Sequence, residues 1–263
     1  MKPPHEGTQP SILFGVTTSQ SVKLLGRIPS EMADQGWQVH VVSSPGPELK
    51  IDSGSKVTTH QINMHRQPHP IADFLALMQW VTLISKLRPD VVSIGTPKAA
   101  LLGLLASFFC QVPSRVYTLR GLRLETTKGI ERRVLWLFEA VTSFVSTDIL
   151  SVSPSLSKLY IKLGLAKESK IRVLGKGSSH GVDTSVFSPL ASNRSSIKKR
   201  LGLREDTPVL GFVGRFCEDK GAGTLLQTHK HLRNRGIEHQ FLLVGPIEEG
   251  QNIFEELIES KSA

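Results

Sequence analysis

Cysteine is scarce: the chain of 263 residues has only Cys110 and Cys217. They stand in unrelated contexts without metal-ligand spacing. No disulfide framework is suggested, and two lone thiols suit a reducing cytoplasm. Aromatic residues are also sparse, at 6%, with two Tyr and three Trp. The basic clusters therefore lack an interleaved stacking platform, which disfavours a nucleic-acid partner. Long apolar runs are missing too. The longest, from Ala99 to Cys110, is too short to cross a bilayer and reads as a buried helix. The polar, proline-rich first eleven residues carry no signal-peptide pattern. No Asp-x-Asp pair occurs, and the nine His form no metal-ligand cluster or Ser-His-Asp arrangement.

What remains is an ordinary globular composition, 39% hydrophobic and 21% charged, with a net charge of +9. The basic residues gather at Lys128, Arg132 and Arg133, from Lys158 to Lys176, and at Lys198, Lys199 and Arg200. Such clusters are either a solvated basic face or a dock for anionic lipid headgroups, each exposed cation then contributing about 1 kcal/mol.

Short apolar runs alternate with longer helical patterns, which predicts a parallel sheet wrapped by helices. Strands are expected at 12–16, 39–43, 90–95, 115–119, 148–152 and 171–174, then at 208–213 and 240–244. Thr17, Thr18 and Ser19 offer caps for a helix running to Gly36. Over 71–86 the spacing predicts a helix with Phe74, Leu75, Met78, Val81 and Thr82 on one face. Further helices are expected over 99–110, 130–145 and 221–235, and Ser153-Pro154 opens another by the cap-then-proline rule. Residues 182–207 read as basic loop with one helical turn near 196–201. The expected division is a first domain over 1–190, a linker over 191–207 and part of a second domain over 208–263. Two parallel strands leave open edges and an uncovered face, so the last segment cannot form a stable core of its own.

The stretch Gly214-Arg215-Phe216-Cys217-Glu218-Asp219-Lys220-Gly221 follows a strand and opens a helix. Gly214 lets a ligand approach the backbone, and the amino end of the helix favours an anion. Arg215 supplies a forked donor and Lys220 a point charge. They suit a diphosphate, and would stabilise charge developing on one as it departs. The alternative is a strand-turn-helix with solvated basic residues.

Gly-Arg, four residues, Lys-Gly, a helix and a strand ending in Val244-Gly245-Pro246 resemble the nucleotide-sugar-binding half of retaining glycosyltransferase family 4. Four motifs in the first domain follow in the matching order: Gly95-Thr96-Pro97-Lys98, Tyr117 to Thr126, Ser151 to Ser155, and Gly177 to Asp183. They resemble the bacterial branch that builds capsule, O-antigen and other glycans on polyprenyl-diphosphate carriers. The resemblance covers roughly residues 11–250. It implies an α/β fold of the GT-B type, with a complete N-terminal Rossmann-like domain and the beginning of a second. It implies a nucleotide-sugar substrate, UDP-linked by preference, with no separate cofactor and no metal. It also implies a polyprenyl-diphosphate-linked acceptor and a cytoplasmic enzyme peripheral to an anionic membrane surface.

On this resemblance, Gly214, Arg215, Lys220 and Gly221 hold the donor diphosphate. Thr17, Thr18, Lys98, Arg123, Ser178 and His180 line the acceptor cleft. Arg120 stands where many members carry His, so a His-based role does not transfer; Arg120 becomes the catalytic candidate near donor phosphates or acceptor. His180 stands where Asn is common. The family's two glutamates, eight positions apart and well beyond the Val-Gly-Pro strand, have no counterpart before Ala263. The pairs Glu248/Glu256 and Glu131/Glu139 share the spacing but not the strand-to-helix context, and are rejected. The expectation is a chain cut short of its second domain. Its alternatives are a non-catalytic binding half and, less compatibly with its motifs, a sugar-nucleotide epimerase.

Overall fold

The computed structural model describes residues 9–49, 56–65, 67–188 and 194–246. Contacts divide the chain into two compact units, Met1–Val182 and Asp183–Ala263. That division falls ahead of the 191–207 segment expected to be a linker, so 194–207 groups with the second unit.

The first unit is built on a seven-stranded sheet among the described residues: β1 (Ser11–Gly15), β2 (Gln38–Ser43), β3 (Val57–Gln61), β4 (Val91–Ile94), β5 (Ser114–Leu119), β6 (Asp148–Ser151) and β7 (Ile171–Arg172). The order is β3-β2-β1-β4-β5-β6-β7, and every pairing is parallel. Strands β1, β2 and β4 are buried almost throughout because both faces are covered, as their valine-rich runs require. Leu13, Val42, Val92, Ile94, Tyr117 and Leu119 point into one core cluster; Ile12, Phe14, Val39 and Val41 point into the other.

The helices are α1 (Ile28–Asp34), α2 (Pro70–Leu87), α3 (Pro97–Phe109), α4 (Gly129–Val145) and α5 (Pro154–Lys162). Right-handed crossovers from β3 through β7 place α2 to α5 on one face, and the reversed step from β1 to β2 places α1 on the other. Ser153 caps α5 by accepting from the Leu156 amide at 3.2 Å, with Pro154 in the first turn.

Two expectations need correction, and the structure adds which side of α2 is buried. The helix between Thr17 and Gly36 is two pieces, a 3₁₀ turn over Ser19–Leu25 and then α1, parted at Gly26 with φ +56°. β3 was not anticipated, because it is an edge strand of polar, mostly unburied residues that lacks an apolar run. The residues expected on one face of α2 do share a face, and the structure turns most of it outward, with Val81 alone of its apolar members packed against the core. Ala76, Trp80 and Ile84 enter the core, while Phe74, Leu75 and Met78 are 60%, 56% and 41% exposed. Among the described helices α2 alone is long and apolar enough to span a bilayer, with 18 residues of mean hydropathy 1.2. Its inner side packs against α3 within this unit.

Beneath the sheet Glu139 is buried. Its carboxylate accepts from the Tyr117 hydroxyl at 3.0 Å and the Tyr160 hydroxyl at 3.1 Å. Burial raises the carboxyl's pKa above its ordinary value, and the two tyrosine bonds pull only partly against it. A folded-state pKa raised above the unfolded one means the native state holds the extra proton. Stability then falls as pH rises from the ordinary carboxylate range through the folded value. Glu139→Gln keeps the shape and removes the titration. Urea unfolding across that range should show the variant gaining on the parent as pH rises, by about 1–3 kcal/mol once the parent carboxyl has ionised. A constant difference at all pH values would contradict this.

The second unit contains α6 (Arg194–Arg200), β8 (Val209–Val213), α7 (Ala222–Asn234) and β9 (Gln240–Val244). β8 and β9 pair in parallel, and among the described residues with no other strand. No residue of either strand is fully buried, and Val213 is 83% exposed. The segment before β8 is nonetheless ordered. Lys198 is buried and donates to the carbonyls of Arg204 and Glu205, while Arg204 Nη1 meets Glu238 Oε1 at 2.9 Å.

Candidate active site

Open parallel sheets bind ligands at the carboxyl ends of their strands, where the strand order reverses. Here that point lies between β1 and β4. Thr17, just past β1, and Thr96, just past β4, bring their hydroxyls to 2.8 Å, and the Thr17 amide donates to Thr96 Oγ1 at 2.8 Å. Thr17 Oγ1 also accepts from the Ala99 amide at 3.2 Å, so this buried side chain caps α3. Thr17 thus shapes the crevice from within. Thr18 is partly exposed beside it, its hydroxyl 2.9 Å from that of Ser21.

Arg120 follows β5 at the same edge. Its Nη1 donates to the Leu24 carbonyl at 2.7 Å and to the Ser179 hydroxyl, while its Nε is buried without a hydrogen-bond partner. Burial lowers its pKa from the ordinary guanidinium value, though arginine stays charged across the working range. A desolvated cation with an unused donor attracts an anion. The guanidinium itself fits because residue 95 is glycine, where a Cβ would lie 2.7 Å from Arg120 Nε.

The loop after β7 closes this edge. Ser178 Oγ accepts from the Gly181 amide at 2.8 Å, which tightens the turn. The His180 ring lies against Gly26, where a Cβ would come within 2.8 Å of it and where φ of +56° already favours glycine. Arg120, Ser178, Ser179 and His180 are therefore neighbours around the Leu24–Gly26 corner. Ser179 and Thr96 lie within two of the motifs read from sequence but have no site role assigned there, although the Thr-Pro pair at 96–97 is a helix-opening signal.

Two candidates stand elsewhere in the geometry. Lys98 Nζ lies 2.7 Å from Asp73 Oδ1 and also donates to the Gln67 carbonyl. Its charge thus ties α3 to α2 in a largely shielded pair. Arg123 sits in a 3₁₀ turn, Arg123–Glu125, with an exposed side chain and a carbonyl that receives Thr126 and Thr127.

In the second unit, the Gly214 amide donates to the Val244 carbonyl and the Phe216 amide to the Pro246 carbonyl, each at 2.9 Å. These bonds hold the ends of β8 and β9 together. Cys217 and Phe216 are buried, so the flanking Arg215 and Lys220 are left on the surface of the loop. Gly221, at φ +83°, forms the N-cap of the thirteen-residue α7, and no side chain caps that terminus. The first-turn amides of α7 and the two cations thus share one loop, as anion binding at a helix amino end requires. Of the glutamate pairs set aside from sequence, Glu139 is in the core, and Glu248/Glu256 lie outside the described residues. Among the described residues no three His, Cys, Asp or Glu side chains gather as a metal site.

A doubly wound parallel sheet with Thr17 and Thr96 at its switch point and Arg120 beside it, followed by a parallel β8–α7–β9 segment, defines a Rossmann-like unit and the beginning of a second. The model of the "Glycosyl transferase 4-like domain" family matches residues 25–177. The chain belongs to that family. It is 39% identical over 240 residues to the capsular polysaccharide biosynthesis glycosyltransferase CapM of Staphylococcus aureus, covering 91% of this chain and 62% of that protein. It is 27% identical over 180 residues to the Escherichia coli UDP-Gal:alpha-D-GlcNAc-diphosphoundecaprenol alpha-1,3-galactosyltransferase, covering 66% and 45% of the two chains. In fold it is similar to a solved glycosyltransferase from Rickettsia africae, with a TM-score of 0.73 at 15% identity, over 97% of this chain and 65% of that one. The α/β fold of the GT-B type is thus the one expected from sequence, and the chain spans under two thirds of the length of each of these relatives.

Proposed function

We propose that this chain supplies the acceptor-side unit and the diphosphate-binding loop of a retaining glycosyltransferase. The reaction moves a sugar from a UDP-sugar to a saccharide on a polyprenyl-diphosphate carrier during capsule or related surface-glycan synthesis. The observation that carries this reading is the β8–α7 loop, with Arg215, Lys220 and the uncapped amino end of α7 in a member of this family. The E. coli relative, named for a UDP-sugar donor and a diphosphoundecaprenol acceptor, supports the substrate classes.

In this reading Arg215 and Lys220 take the donor diphosphate and stabilise the charge that grows as the sugar–phosphate bond breaks. The acceptor hydroxyl attacks from the same face. Arg120 places its guanidinium charge at the crevice to attract an anionic group, and Thr18, Ser178 and His180 border the space beside it. Gly214 and Gly221 leave the backbone close to the phosphates, while Thr17 and Lys98 hold the frame. The enzyme works at the cytoplasmic face of an anionic membrane and uses no separate cofactor.

The test is transfer of radiolabelled sugar from UDP-linked donors to a polyprenyl-diphosphate disaccharide. It compares this chain with the chain extended by a relative's remaining C-terminal segment. The extended protein should turn over, and Arg120→Ala should lower its kcat by about a hundredfold or more while UDP affinity holds. Absence of transfer from every UDP-sugar by the extended protein would overturn the reading. A short chain that binds UDP without turnover would instead be a binding half.

A further inference from the structure

α4 turns three polar side chains inward beside Leu135, Ala140 and Val145, and turns much of its apolar surface outward. Glu139, Thr142 and Ser143 are buried, whereas Ile130, Val134, Leu137 and Phe144 are 79%, 43%, 55% and 77% exposed. At about 100° per residue these four, with Val141, fall on one stripe facing away from the core. A helix on a soluble domain ordinarily shows the reverse pattern. The polar side is accommodated because the two tyrosines hold Glu139, Thr142 Oγ1 donates to the Phe138 carbonyl at 2.8 Å, and the Ser143 carbonyl receives Lys170. At its carboxyl end the stripe meets the end of α3. There the Phe108 ring lies 6.0 Å from that of Phe109 and 6.4 Å from that of Phe144, and Phe109 is 63% exposed. A contiguous apolar patch of this kind marks an interaction surface.

The charges around the patch identify the partner. Lys128 and Arg133 stand at the amino end of α4, both exposed. At the other end the Arg115 guanidinium lies 5.6 Å from the centre of the Phe108 ring, and Lys170 Nζ reaches the Phe144 carbonyl at 3.3 Å. The acidic neighbours lie off the stripe: Glu131 is about 100° around the helix from Ile130, and Asp148 faces Arg172 at 3.7 Å. In a two-fold contact between copies, the stripe would set basic ends against basic ends, which repel. An anionic bilayer accepts both features, with headgroup phosphates for the flanking cations and the acyl boundary for the leucine, valine and phenylalanine side chains.

We propose that α4 and the Phe108-Phe109 tip form the membrane-contact surface of this protein, with the helix lying in the plane of an anionic bilayer. The proposal rests on the lipid-linked acceptor reading above and names the face that reaches the lipid.

The test is co-sedimentation of the chain with vesicles of phosphatidylcholine and phosphatidylglycerol in equal parts, and with phosphatidylcholine alone. The parent should pellet with the anionic vesicles, and added salt should release it, since exposed charges are screened. Leu137→Gln with Phe144→Ser should lower the partition coefficient about tenfold or more, and Lys128→Gln with Arg133→Gln about tenfold. Both pairs are exposed, so unchanged circular dichroism and melting should accompany the loss. Equal pelleting of parent and apolar variant would overturn the proposal, as would equal binding to both vesicle types. A dimer in sedimentation velocity that the apolar variant dissolves, without vesicle binding by the parent, would assign the face to a second copy and also overturn it. UDP titration of the same proteins separates the two readings. Loss of vesicle binding with intact UDP binding supports this surface, whereas a parent that binds vesicles but no UDP overturns only the donor reading.

Discussion

Replacing Arg215 and Lys220 together by alanine should weaken UDP binding by roughly a hundredfold. Charge-assisted hydrogen bonds contribute about 1.5 kcal/mol each at the low end of their range, and two of them correspond to two decades in affinity. Both side chains are exposed on the β8–α7 loop, and the bonds that hold this loop run through the backbone from Gly214 to Val244 and Phe216 to Pro246. Those two backbone bonds do not depend on the side chains removed. Arg215→Lys should recover part of the loss, because a point charge replaces the fork but cannot reproduce its bidentate geometry. Isothermal titration with UDP checks both variants. Affinity unchanged in the double variant would remove this loop from the donor site.

Trp80→Ala should cost the first unit about 3–5 kcal/mol, the range for deleting a buried large aromatic side chain. Trp80 has no exposed surface, and it belongs to the core cluster beneath β1, β4 and α3. Its ring occupies space left by two glycines. A Cβ on Gly15 would fall 2.7 Å from Trp80 Cη2, and one on Gly103 would fall 3.3 Å from the ring and 2.3 Å from Ile94 Cδ1. The same site should resist enlargement, so Gly15→Val overpacks it by about 1–3 kcal/mol. Urea unfolding followed by circular dichroism measures both. A Trp80→Ala loss well below the stated range would mean that β1, α2 and α3 close over the gap.

Much of the first unit could be read from residue order. Val39-His40-Val41-Val42 and Val91-Val92 are β-branched runs of strand length, and a parallel sheet covered on both faces asks for such runs. Ser153-Pro154 placed the start of α5 correctly because capping and the missing proline donor are local chemistry. β3 escaped because an edge strand with one buried residue carries no burial pattern to detect. The candidate site divided along the same line. The β8–α7 loop was legible because its cations, glycines and helix start lie within eight consecutive residues. Thr17 and Lys98 were assigned to a cleft because nothing local shows that their polar groups are taken up by Thr96 and Asp73, 79 and 25 positions away. The contact of Ser179 with Arg120, at a separation of 59, was not legible for the same reason.

The sequence by itself determined the class of sheet, the positions of most helices, the cationic glycine-flanked loop and the family. All of these depend on residues close together along the chain. Tertiary structure decided which side of each helix faces the protein. Periodicity shows that α2 and α4 have two unlike sides, but it assigns neither side to the core. In α2, Trp80 is drawn in by the space at Gly15 and Gly103, which leaves Phe74, Leu75 and Met78 outside. In α4, Tyr117 and Tyr160 satisfy Glu139 inside the fold, so Leu137 and Phe144 turn outward. The inward side is chosen by the volume and hydrogen-bonding groups of distant elements, and those partners meet only when the sheet is assembled.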